Sequence, residues 1–242
     1  MISAVNKYNI LFIDIETVSF KNSYTELTET FQKLWQKKHH TLIKDSEISF
    51  EESYTEKAAI YAEFGKIVCI SCGYLTKSEK NDKLRIKSFS GDNETKLLKT
   101  FATLLSNNYT DTQNQTICGH NIKEFDIPYI CRRMLINGIK LPEMLNIHGK
   151  KPWEVNFIDT LQLWKFGDYK AYTSLNLLAA LFDIPTPKDD IDGSMVGNVY
   201  WQENDLSRIT TYCQKDVVTV VRLLQKWKQE ALIEEENIQI IE

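Results

Sequence analysis

The first strongly patterned stretch alternates with a period of two. Across residues 9–16, Leu11, Ile13 and Ile15 fall on one side of the chain and Ile10, Phe12, Asp14 and Glu16 on the other, the spacing of a strand. Residues 66–75 and 84–89 read as two more strands, joined by a polar turn over 77–83, so a three-stranded meander is predicted. Residues 20–63, between the first two strands, are polar and aromatic. Phe31, Leu34 and Trp35 there have helical spacing, so this stretch reads as a helical insertion. The period then changes over 93–106, where Leu97, Leu98, Phe101, Leu104 and Leu105 mark a helix capped by Asp92 or Asn93. Short strands are expected at 116–119 and 156–158. Helices are expected at 126–136, closed by the left-handed cap Asn137-Gly138, at 174–182 and at 206–228.

That order predicts an α/β fold, a mixed five-stranded sheet flanked by helices in the layout of ribonuclease H-like domains. Residues 1–242 read as a single domain, with 20–63 the insertion after the first strand and 230–242 an acidic tail. At 43% hydrophobic residues the chain can bury one substantial core. No apolar stretch approaches the length of a membrane span, and the start of the chain lacks a basic-then-apolar signal pattern. Five cysteines without such a signal imply reduced thiols and a cytoplasmic location. A net charge of −4 is low for a protein that grips nucleic acid by phosphate neutralisation alone. Carboxylates that hold cations contribute negative charge of their own, so the balance leaves function open.

Three constellations carry candidate chemistry. Asp14 and Glu16, two apart on a strand, leave the same face of the sheet, where they repel each other and lose hydration unless a cation compensates. Their oxygens suit Mg²⁺ or Mn²⁺. Gly119-His120-Asn121 followed by Phe125-Asp126 runs from a short strand through a polar turn into a helix, placing Asp126 in a first turn whose dipole favours a carboxylate. On the last helix, Leu206, Ile209, Cys213, Val217, Val220, Leu224 and Trp227 form the buried stripe, while Tyr212, Asp216 and Thr219 share the adjacent face. Each piece alone has an ordinary structural explanation: a strand end in solvent, an acidic helix cap, an exposed helical pair.

Taken in order, residues 12–17, 119–129 and 212–218 resemble the DEDD exonuclease superfamily in its tyrosine-containing branch, with softer similarity over 174–196. Within that branch the chain is most similar to stand-alone relatives of the family B DNA polymerase proofreading domain. The histidine branch carries His five residues before the last Asp, where this chain has Thr211. The resemblance implies metal-dependent 3′→5′ hydrolysis of terminal phosphodiesters in single-stranded DNA, with two divalent cations, Mg²⁺ or Mn²⁺. Asp14 would bridge both ions, Glu16 and Asp216 would complete the first site, and Asp126 would act on the second. Tyr212 would hold the attacking water. It further implies that the backbone N–H groups of Thr17 and Val18 hold the terminal nucleotide and that Asn121 touches the substrate backbone. Phe125 either stacks on a base or packs in the core. A 3′→5′ exoribonuclease and a non-catalytic nucleic-acid-binding domain remain alternatives.

Other features read as structural. Cys69 and Cys72 lie inside an apolar strand without a second pair, as core thiols. His39-His40 reads as a solvated helix end, and Arg132-Arg133, Lys150-Lys151 and Lys165 as surface charges. Asp159 reads as a strand-to-helix cap in preference to a support for the acidic residues. The acidic run around Asp189 and Asp190 lacks the ligand spacing of a calcium loop.

Overall fold

A computed structural model describes residues 5–42, 47–79, 81–168, 170, 172–185 and 191–241. The stretch 186–190, with Asp189 and Asp190, lies outside the described residues. In chain order the elements are β1 (Ile10–Ser19), α1 (Glu29–Leu42), α2 (Phe50–Lys57), β2 (Gly65–Thr76), β3 (Lys83–Ser90), α3 (Glu94–Asn108), β4 (Thr116–Gly119), α4 (Asp126–Ile136), β5 (Ile158–Asp159), α5 (Thr160–Lys165), α6 (Leu175–Leu181), α7 (Val196–Asn198), α8 (Leu206–Trp227) and β6 (Ile238–Ile241). The sheet order is β5-β4-β1-β2-β3-β6. β1, β2 and β3 form the antiparallel meander, whereas β4, β5 and β6 add in parallel.

Among the described residues the sheet therefore has six strands rather than five, and the sixth lies in the stretch read as an acidic tail. The glutamates at 234–236 dominate the local composition, but Ile238, Ile240 and Ile241 have the β-branching of a strand, and the edge of β3 offers unpaired backbone groups to meet them. The return is pinned by Arg222, whose guanidinium donates to the Ile233 carbonyl and to Glu235.

The alternation along β1 divides the core. Leu11, Ile13 and Ile15 pack with α3 and α4 on one face. Ile10 and Phe12 pack against α6 and α8 on the other, and Val18 rejoins α8 in a separate cluster further along the same strand face. Gly73 lets α8 lie close on the sheet, since a Cβ there would come within 2.9 Å of Val217 Cγ1.

Two residues read as solvent-facing are buried. His39 is packed against Phe50, with Nδ1 2.8 Å from Ser53 Oγ, so the helix pair between β1 and β2 has a polar contact inside its own core. Arg133 donates twice to Glu94, at 2.8 and 2.5 Å, and once to the Ala62 carbonyl. Glu94 also accepts from the Ile67 backbone N–H and the Asn137 amide, so one buried ion pair ties α3, α4 and β2 together. Sequence spacing shows a double arginine; only the docking of α4 on α3 shows that one of the two points inward. Removing a partner from a buried pair strands the other charge, so Glu94→Ala is expected to lower stability by about 3–5 kcal/mol, as measured by urea denaturation.

Candidate active site

On the face of β1 that meets α8, the sequence Ile10, Phe12, Asp14, Glu16, Val18 is apolar except for the two acids. They occupy the gap between the cluster around Phe12 and the cluster around Val18. A bulge follows at once: Glu16 pairs with Cys69 but Thr17 with Ile67, and such irregularities re-aim side chains at strand ends.

Helix α8 closes over this gap. Cys213 donates through Sγ to the Asp14 carbonyl at 3.4 Å, and Gln214 donates to Ser88 on β3 at 2.9 Å, which sets the rotation of the helix. Tyr212 and Asp216, four apart and therefore neighbours on one helical face, are brought to Asp14 and Glu16. Asp126 arrives from the opposite side of the sheet as the first residue of α4, where its own N–H and that of Ile15 donate to its carboxylate.

Burial is the largest influence on Asp14, Glu16, Asp126 and Tyr212. It raises the Asp14 carboxyl well above the ordinary range, and Asp216, Glu16 and Asp126 raise it further. Glu16 is raised by burial and then by Asp216. Asp126 is pushed up to about 8, its two backbone donors offsetting part of the effect. Tyr212 is raised by burial and by Asp216, Glu16 and Asp14, so its hydroxyl keeps its proton at neutral pH. Asp14 Oδ2 is buried without a hydrogen-bond partner, although buried polar atoms are ordinarily satisfied. Carboxylate oxygens of Asp14 and Glu16 lie with the Cys213 sulfur within 4.8 Å of one another, a spacing that a cation could bridge. A hard divalent cation suits this oxygen-rich set and would remove the repulsion that burial amplifies.

Asp159 holds the turn before Asp126. Its Oδ1 accepts from the N–H groups of Asn121, Leu161 and Gln162, and its Oδ2 from that of Lys123, so it caps α5 and also grips the β4–α4 turn. The expected cap is there, but its hold on Asn121 and Lys123 was invisible in sequence because β4 and β5 meet only in the sheet. Asn121 is left-handed at φ 63°, and Gly119 cannot be replaced: a Cβ would lie 2.2 Å from Ile122 Cγ2 and 2.7 Å from the Ile13 carbonyl. His120 donates from Nε2 to the Thr173 carbonyl at 2.9 Å, leaving Nδ1 to the Thr160 hydroxyl; burial holds the ring neutral by lowering its pKa.

The remaining expected residues are placed as follows. Thr17 and Val18 continue β1 beyond the bulge, and the Val18 side chain is fully buried in the cluster that includes Tyr212 and Cys213. Asn121 sits on the half-buried rim. Phe125 is partly buried, packed against the core and 5.4 Å from the Tyr129 ring.

The chain is an α/β protein with a mixed sheet and an acidic cluster where β1, α4 and α8 converge. The model of a family described as a predicted 3′-5′ exonuclease related to the exonuclease domain of PolB matches residues 60–237, and the chain belongs to that family. The matched span includes Asp126, Tyr212 and Asp216, while Asp14 and Glu16 precede it. No curated protein sequence matches. Among solved structures, the family B DNA polymerase from the hyperthermophilic archaeon Pyrobaculum calidifontis is similar with a TM-score of 0.55 at 14% identity. That likeness covers 90% of this chain and 24% of the polymerase chain, and it is one of fold, ribonuclease H-like.

The raised carboxyls make stability depend on pH in a defined direction. A carboxyl whose folded pKa exceeds its unfolded value favours folding below the unfolded pKa, and this contribution disappears as pH rises through the folded pKa. For Asp126 the window runs from 3.8 to about 8. Without divalent cations, the melting temperature is expected to fall across that window in differential scanning calorimetry. Asp14→Asn should raise it at the alkaline end by about 4 °C, the shift that 1–2 kcal/mol produces in a chain of this size.

Proposed function

We propose that this protein is a metal-dependent 3′→5′ exonuclease of the tyrosine branch that shortens single-stranded DNA. The observation that carries this reading is the unpartnered, buried Asp14 Oδ2 set among Glu16, Asp126 and Asp216. A packed core has no use for such an oxygen, whereas a cation site requires one. Asp14, Glu16, Asp126 and Asp216 would hold two divalent cations, Mg²⁺ or Mn²⁺. When bound, these ions supply positive charge to offset the charge that develops on the phosphoryl oxygens during hydrolysis.

The other residues position the reactants. Tyr212 keeps its hydroxyl proton, so it serves as a hydrogen-bond donor that orients a water or phosphate oxygen and not as a base. The N–H groups of Thr17 and Val18, just past the bulge, are assigned to the terminal nucleotide. Asn121 and the exposed part of Phe125 are assigned to the substrate backbone and base. Asp159 acts through the turn it grips, keeping Asp126 in place. The choice of DNA rests on kinship with a DNA polymerase exonuclease domain.

The test is incubation with 5′-labelled single-stranded DNA or RNA in Mg²⁺, in Mn²⁺ and in chelator. A ladder shortening from the 3′ end only with metal is expected. Asp14→Ala should abolish it, and Tyr212→Phe should slow it by about 10²-fold, the usual loss from removing one positioned donor. Shortening of RNA alone would reassign the substrate, and early release of the 5′ label as mononucleotide would reverse the polarity. If neither polymer is shortened, the enzyme reading fails.

A further inference from the structure

The connection from α5 to α6 is tied at both ends to the β4–α4 turn that leads into Asp126. At its start Lys165 lies 3.9 Å from Glu124, two residues before Asp126. At its end the Thr173 carbonyl accepts from His120, and the Thr173 hydroxyl accepts from Trp164 at 3.1 Å. Among the described residues between these anchors, two aromatic rings face solvent: Phe166 is 92% exposed and Tyr172 is 70% exposed. Lys170 lies between them, also exposed.

Phe166 is held at φ 45° and ψ 32° as the C-cap of α5, a left-handed position that normally falls to glycine or asparagine. Glycine is the next residue along. The chain thus places a bulky side chain in an unfavourable backbone conformation and leaves its ring almost bare of protein contact. Neither choice helps folding, and exposed rings held on a rim carrying lysines match the chemistry that binds single strands: aromatic faces for bases and cations for phosphates.

We infer that Phe166 and Tyr172 form a stacking platform for the bases of a single DNA strand whose 3′ end enters the acidic cluster. This rests on the exonuclease reading above. The rings would hold nucleotides upstream of the one removed, and stacking on a ring face would make that grip indifferent to sequence. The occupant is single-stranded because bases paired in a duplex have no free face to offer.

The test separates grip from cutting. In an Asp14→Ala background with Mg²⁺, the anisotropy of labelled oligothymidylate measures binding without cleavage. Phe166→Ala and Tyr172→Ala are each expected to weaken it by about tenfold, as losing one base–ring stack does. Phe166→Gly should weaken binding equally while leaving the melting temperature unchanged or higher, because glycine accepts the left-handed position, a combination that a structural role for the ring would not produce. Phe166→Trp should preserve binding. Trp153→Ala serves as the control: that ring is 77% exposed, on the connection whose Asn156 carbonyl meets Thr116 at the start of β4. If the two ring variants bind as tightly as the parent, or if Trp153→Ala weakens binding as much as they do, the platform is refuted and the exonuclease reading stands. If the unmutated chain neither shortens nor binds the strand, the exonuclease reading fails and the platform with it.

Discussion

Four carboxyl groups converge, Glu16 and Asp126 buried and Asp14 and Asp216 half-buried, and the surrounding structure serves to hold them there. Burial and mutual repulsion both oppose ionisation, which is why Asp14 and Glu16 sit well above ordinary carboxylate values and Asp126 is pushed up to about 8. Left to themselves, such groups would move apart or turn outward. They stay because each is carried by an element committed elsewhere: β1 to the centre of the sheet, α4 to the buried Glu94–Arg133 pair, and α8 to the apolar faces on either side of the gap. The fold is thus a frame that stores an unfavourable arrangement of charge, and a divalent cation is the natural agent to relieve it.

Rigidity in the frame is concentrated close to the acids. Asp159 links two crossovers by accepting four backbone N–H groups, and Gly119 leaves no room for a Cβ. The Cys213 thiol ties α8 to the Asp14 carbonyl. The outer rim differs in character, with Phe166 and Tyr172 presented to solvent from a connection anchored at both ends. An unyielding interior and an open aromatic rim suit the proposed exonuclease, which would place one phosphodiester accurately while accepting any base next to it.

Most of the fold was legible because the patterns that encode it are local. Strand alternation in β1, the cap at Asn93 and the left-handed Gly138 each follow from a few neighbouring residues. The errors arose where distant partners decide. The tail at 230–242 looked acidic, and it is the open edge of β3 that recruits Ile238–Ile241 as a sixth strand. Arg133 looked like half of a surface pair, and Glu94, 39 residues away, draws it inside. His39 looked solvated at a helix end, and Ser53 and Phe50 bury it.

The same division holds at the site. Sequence by itself determined which residues could carry the chemistry, because Asp14 and Glu16 must share a strand face and Tyr212 and Asp216 must share a helix face at those spacings. It also determined their order along the chain, on which the resemblance to an exonuclease rests. Only the tertiary structure decided that these faces meet, that Asp14 Oδ2 is left without a partner, and that Asp159 grips the turn before Asp126. It alone left the rings of Phe166 and Tyr172 exposed on a connection tied to the turn before Asp126. The reason is physical: backbone periodicity acts over a few residues, whereas burial, desolvation and charge repulsion depend on what chain folding brings within a few ångströms.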